Sequence, residues 1–200
     1  MGQRLNVEIL YDGALMANAY YHWGAYTSIS LNIIEQILKS SKDAFEEKGT
    51  REIFDTAIDM LESTGAKLTH NDLFAYNSIH EYDPLGNELE TKKRNCIKAN
   101  RNDGLISITS YGMLNTRYWE EGRVQIDLYT KKINFNVFFE KCEDELENID
   151  IDIDDVPELD IDFSDISIDD FEKVKNLLLG MKSSKEYDFK LKGKIYTMIE

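Results

Sequence analysis

Residues 3–21, QRLNVEILYDGALMANAYY, decide the fold. Leu5, Val7 and Ile9 alternate with polar neighbours, the period of a strand with one apolar face. Asp12-Gly13 then separates two β-prone runs, and that dipeptide is the strongest short-range sequence signal for a β-hairpin. The chain therefore opens with a hairpin.

Helical periodicity follows at once. Thr27 or Ser28 can cap a helix with Ile29, Ile33, Ile34, Ile37 and Leu38 on one face. A second helix is expected from Arg51, capped by Thr50, burying Ile53, Phe54, Ala57, Ile58 and Leu61 and stopping at Gly65. A third, shorter helix is expected from Thr69 over Leu73, Phe74 and Ile79, with Asp72 at capping-box distance. Residues 83–103 read as polar and irregular. Beyond them come strand-like GLISIT, RVQIDLYT and KINFNVFF, the last two joined around Lys131-Lys132. A last helix from about Asp169 packs Phe171, Val174, Leu177 and Leu178, and YDFKLKGKIYTMI reads as one closing strand. This order predicts an α+β fold: a mostly antiparallel sheet opening with a β-hairpin and packed by three to four helices. The expected divisions are a body over residues 1–142, an acidic strand-like insertion or small lobe over 143–170, and a helix and strand over 171–200 that complete the body.

The 200 residues suffice for a core without disulfides or metal, and 42% apolar with 30% charged residues excludes a collagen-like or wholly disordered chain. No membrane span and no signal peptide is expected, and Cys96 and Cys142 make no disulfide framework, so the reading is cytoplasmic. The net charge of −15 is localised. Fifteen acids and no base lie between Glu143 and Glu172, whereas the rest of the chain balances 23 acids against 23 bases. Such a chain is not expected to bind double-stranded DNA directly.

Within the block, Asp150, Asp152 and Asp154 alternate with isoleucines, and Asp160 and Asp162 alternate with Leu159, Ile161 and Phe163. In a strand the carboxylates share one face about 6.6 Å apart, which resembles the spacing of phosphates along one nucleic-acid strand, where a charge recurs about every 3.4 Å of axis in projection. Asp150, Asp152, Asp154, Asp155, Asp160 and Asp162 are therefore candidate partner-binding residues, imitating nucleic acid before a basic surface. An EF-hand is excluded: counted from Asp150, position six is Asp155 instead of Gly and position twelve is Ile161 instead of Glu. A solvated acidic edge and a looser divalent-ion site are the competing readings, and no metal is assigned.

A second candidate site is aromatic and basic. Tyr20, Tyr21, His22, Trp23 and Tyr26 fall within seven positions, just before a helix N-terminus that attracts anions. Arg4 on the paired strand can join His22 on a phosphate. Lys92, Lys93, Arg94, Lys98 and Arg101 form a cluster free of acids. Together Arg4, Tyr20, His22, Trp23, Tyr26 and these bases outline an alternative pocket for a nucleotide-derived ligand. The basic cluster has another outlet in the acidic block, of the same chain or of a second copy in a homo-oligomer. The competing reading of the aromatics is plain core packing. Enzyme signatures are missing: His22, His70 and His80 lack metal spacing, and there is no Walker loop, dinucleotide fingerprint or Gly-x-Ser-x-Gly elbow. No catalytic residue and no cofactor is assigned.

The segments MGQRLNVEI, ANAYYHWGAYT and GTREIFDTAIDMLESTGAKLT, with a fainter echo in EEGRVQIDLYTKKINFNVFFE, resemble a family of small uncharacterised acidic proteins from phages of Gram-positive bacteria. The likeness covers roughly the first seventy residues. It implies a non-enzymatic inhibitor acting in the cytoplasm of the infected host. The target implied is a host defence protein with a basic surface, or alternatively a nucleotide-derived immune signal that is sequestered or cleaved.

Overall fold

The opening hairpin forms where the Asp12-Gly13 signal places it. Strand β1 (Leu5–Tyr11) pairs antiparallel with β2 (Ala14–Tyr21), from Leu5 opposite Tyr21 to Tyr11 opposite Ala14. Both turn residues have positive φ, 50° at Asp12 and 74° at Gly13, the type I′ geometry whose twist matches the strands. Ile9 faces Ala17 while Leu10 faces Leu15, so Met16 is the extra residue of a bulge. The structure is a computed structural model that describes residues 3–40, 50–68, 104–107, 120–142 and 153–200. The helix expected from Thr69, the basic cluster, Asp150 and Asp152 lie outside the described residues.

The remaining described elements are α1 (Thr27–Ser40), α2 (Thr50–Glu62), β3 (Lys67–Leu68), β4 (Leu105–Ser107), β5 (Gly122–Asp127), β6 (Lys132–Asn136), β7 (Phe138–Glu140), β8 (Ile166–Ser167), α3 (Phe171–Ser184), β9 (Asp188–Leu191) and β10 (Lys194–Met198). They make a mixed α+β fold with three α-helices among the described residues. One sheet has the order β3-β4-β2-β1-β5-β6-β8, and a smaller antiparallel sheet has the order β7-β10-β9. Four of the six neighbour pairs in the larger sheet are antiparallel. The exceptions are β3–β4 and, at the centre, β1–β5, where Leu5 to Leu10 run parallel beside Gly122 to Asp127. A parallel neighbour needs a long crossover. Here it is the chain from β2 to β5, which carries α1 and α2.

Leu5, Val7, Ile9, Ala17, Ala19, Val124, Ile126 and Ile133 form one fully buried cluster with Leu31, Ile34 and Ile37 of α1 and Ala57, Met60 and Leu61 of α2. Three expected core residues are instead exposed: Ile29, Phe54 and Leu177 at 41, 38 and 38%. Each is the sequence neighbour of a buried stripe residue, Ser30, Ile53 or Leu178, and one residue turns a helical side chain by about 100°. Met60 and Met181 fill those stripes instead.

Two strand expectations are corrected. KINFNVFF is not one strand, because it passes through fully buried Val137 from β6 in the larger sheet to β7 in the smaller. The closing segment is likewise a hairpin, turning at Lys192-Gly193 with φ of 49° and 80°. That turn is type I′ like the first, but Lys-Gly is a weaker signal for it than Asp-Gly.

Candidate functional site

The described part of the acidic block is built by what lies between its acids. Val156, Phe163, Ile166 and Phe171 are buried, at 9, 6, 4 and 2% exposure. Backbone bonds hold the segment to both sheets: Leu159 N–H to Lys190 O at 2.9 Å, Lys190 N–H to Pro157 O at 2.8 Å and Phe135 N–H to Phe163 O at 2.7 Å. Ile166 pairs with Ile133 through β8. Residues 153–170 are thus stitched across the two sheets, not set apart as a lobe.

All nine acids from Asp154 to Glu172 are exposed. The expected carboxylate ladder is only partly realised. Ile153–Asp155 is a turn of 3-10 helix, so Asp154 and Asp155 are consecutive exposed residues and not alternate rungs of a strand. Beyond Pro157 the segment makes one isolated parallel bridge, Glu158 beside Lys190, and no continuous strand, yet burial alternates: Phe163 is buried, Leu159 and Ile161 are half-buried, and Asp160 and Asp162 are exposed. The period-two pattern survives because the chain crosses an apolar surface that takes every second side chain.

Several of these acids have nearby bases. Asp165 meets Lys132 at 2.7 Å, Asp162 meets Lys192 at 3.2 Å, Asp170 meets Lys173 at 2.5 Å and Glu172 meets Lys175 at 3.4 Å. The Ser164 hydroxyl and backbone N–H, together with the Lys192 ammonium, hold the Asp162 carboxyl below the usual carboxylate range. Asp155, Glu158, Asp160 and Asp169 have no ion-pair partner among the described residues. These four project charge outward most directly. Among the described residues no group of three or more His, Cys, Asp or Glu is arranged to hold a metal ion.

The aromatic segment is arranged differently from an open pocket. Tyr20 is 6% exposed, with its hydroxyl 3.2 Å from His22 Nδ1, and the Trp23 ring stands edge-on to His22 at 5.2 Å. Tyr21 points the other way into the core, bonded to the Thr64 hydroxyl at 2.7 Å, and burial pushes its phenol pKa well up. Arg4 pairs with Glu121 at 3.1 Å and also donates its backbone N–H to that carboxylate at 2.6 Å. The N-terminus of α1, expected to attract an anion, already holds one: Ser28 donates its N–H and hydroxyl to the Glu200 carboxylate, each at 3.1 Å. Tyr26 is half-buried.

The polar half of the opening pattern holds residues that the sequence reading missed. Asn6, Glu8 and Asn18 look solvent-facing by alternation but are 0, 1 and 1% exposed. Asn18, Glu8, Gln125 and Asn134 are register partners across β2, β1, β5 and β6, and Tyr20, Asn6, Arg123 and Asn136 form the next row. Gln125 Nε2 donates to Glu8 at 2.7 Å and Asn134 Nδ2 donates to Gln125 at 3.0 Å, a relay across three strands. Asn6 Nδ2 donates to Glu120 at 2.6 Å, and Arg123 pairs with the same carboxylate. Buried polar groups are normally bonded, and the amide donors here are, whereas Asn6 Oδ1 and Arg123 Nε are buried without a hydrogen-bond partner among the described residues. The sequence signal for these rows was the recurrence of amide side chains at same-face positions of four strands, legible only once strand register is known.

No family model, curated protein or solved structure matches the chain. No helix among the described residues is long and apolar enough to cross a membrane.

Proposed function

We propose that this protein is a non-enzymatic, phage-encoded inhibitor that binds a host defence protein through its acidic ridge. One observation carries the reading: all nine acids from Asp154 to Glu172 are exposed while the apolar residues between them anchor the same backbone in the core. A solvated charge run needs no such anchoring. A preformed row of carboxylates loses little freedom on docking and steers a basic partner, the conditions for fast, salt-sensitive association. The partner class is a protein whose basic face normally holds nucleic acid, and the site of action is the cytoplasm of the infected cell.

Asp155, Glu158, Asp160 and Asp169 can be neutralised without breaking an ion pair. The variant D155N/E158Q/D160N/D169N and the parent chain are compared as bait in lysate of a Gram-positive host, at about 50 mM and about 500 mM salt. The parent is expected to retain a basic protein at low salt that single-stranded DNA displaces. The variant should retain at least about tenfold less, a loss of about 1.4 kcal/mol. Equal capture by both chains, or capture indifferent to salt and DNA, would overturn the reading.

A further inference from the structure

The split of one chain run into β6 and β7 opens a cleft of about 520 Å³ between the two sheets. That size falls within the roughly 300–1,000 Å³ of small-molecule sites. Its chemistry is specific. Phe138, Tyr196 and Asn136 line it, with the cations of Lys192 and Lys194 and the carboxylate of Asp162.

The rings are braced before any ligand arrives. Phe138 makes edge contacts with Phe135, Phe163 and Phe189 at 5.3, 4.7 and 4.9 Å, and Tyr196 stacks on Phe189 at 6.0 Å and 20°. Braced aromatic surfaces favour a planar ring, because stacking then costs little side-chain entropy. Lys192 and Lys194 flank Gly193 in the β9–β10 turn, and nothing lies within 4 Å of where a Gly193 Cβ would stand. Both lysines line the cleft, so an anionic group that enters it meets two cations. Both lysines are paired with exposed carboxylates, Lys192 with Asp162 at 3.2 Å and Lys194 with Glu140 at 2.7 Å. Such exposed pairs are worth little, so a phosphate bearing two charges can displace them. Asn136 is exposed and lines the cleft, and an amide can donate to and accept from the edge of a base.

We propose that this cleft binds a nucleoside monophosphate, with the base between Phe138 and Tyr196 and the phosphate on Lys192 and Lys194. The site is separate from the pocket that the sequence suggested around Arg4 and Tyr20; residues 161–164 of the acidic segment form one wall of it, but the exposed acids Asp155, Glu158, Asp160 and Asp169 do not line it.

The test is calorimetric titration of the full chain with AMP, UMP, adenosine and inorganic phosphate. Saturable binding of at least one nucleotide is expected, tighter than adenosine or phosphate by at least about tenfold. K192A/K194A should weaken it by at least about tenfold, and N136A should change the ratio of AMP to UMP affinity. D155N/E158Q/D160N/D169N should leave nucleotide affinity within about threefold, which separates this site from the ridge. The positions of K192A/K194A and N136A are exposed, so unchanged thermal midpoints for these variants will exclude misfolding. Absence of saturable nucleotide binding, binding indifferent to K192A/K194A, or phosphate binding as tightly as AMP would each overturn the proposal.

Discussion

The Asp127 carboxylate accepts backbone N–H bonds from Asp12 at 3.3 Å, Gly13 at 2.8 Å, Tyr129 at 2.9 Å and Thr130 at 3.1 Å. One side chain thereby ties the β1–β2 turn to the β5–β6 loop, beside the parallel pairing of β1 and β5. Burial acts to raise its pKa, but the four N–H donors together outweigh burial and hold it below the ordinary carboxylate value. A lowered folded pKa stabilises the fold above the unfolded carboxylate pKa, near 3.9, and that contribution disappears as pH falls through the folded value. D127A is therefore expected to lose about 1–2 kcal/mol at neutral pH, with the gap to the parent narrowing below about pH 4. Urea denaturation at several pH values measures both. Asp127 illustrates what a sequence conceals at this scale. Its place in the strand-like run RVQIDLYT was readable, whereas the strand's end at Asp127 and its four donors from two turns far apart in the chain were not.

Among elements, the passage through Val137 is the most consequential feature, because it makes two sheets from one apolar run. Phe189 of β9 is fully buried where they meet, with Phe138, Phe163 and Tyr196 around it at 4.9, 5.9 and 6.0 Å. F189A is expected to lose about 3–5 kcal/mol in a single cooperative transition, since the cavity opens in a core that both sheets share. F139A, on the 53% exposed neighbour of Phe138, should change stability by under about 0.5 kcal/mol. A loss below about 1 kcal/mol for F189A, or two separate transitions, would show that the sheets do not share a core. The hairpin, α1, α2 and α3 were legible because each carries its own local period. The β6–β7 break and the second hairpin were not, since alternation runs straight through Val137 and Lys192-Gly193 marks a turn weakly.

For the whole molecule, charge is the governing quantity. A net −15 with its excess in one block means that like charges on the ridge repel each other, and salt screens them within about 8 Å at physiological ionic strength. The melting temperature is expected to rise by roughly 2–4 °C from low to moderate salt, about 1 kcal/mol for a chain of this size. D155N/E158Q/D160N/D169N should melt higher at low salt and respond less to added salt; a parent chain insensitive to salt would contradict the repulsion. The local order of residues sufficed to establish the hairpin, the helical stripes, the α+β class and the confinement of the excess negative charge to residues 143–172. These depend on neighbours a few positions apart, where period, turn chemistry and composition act directly. Only the tertiary structure decided that β1 lies parallel to β5, that Glu8 and Asn6 are buried in a bonded polar row, and that Glu200 occupies the α1 N-terminus. It alone placed Lys192 and Lys194 beside Phe138 and Tyr196 across a cleft. Those outcomes depend on strand register and on which distant segment covers which face, and burial energy is set by the whole packed core instead of any stretch within it.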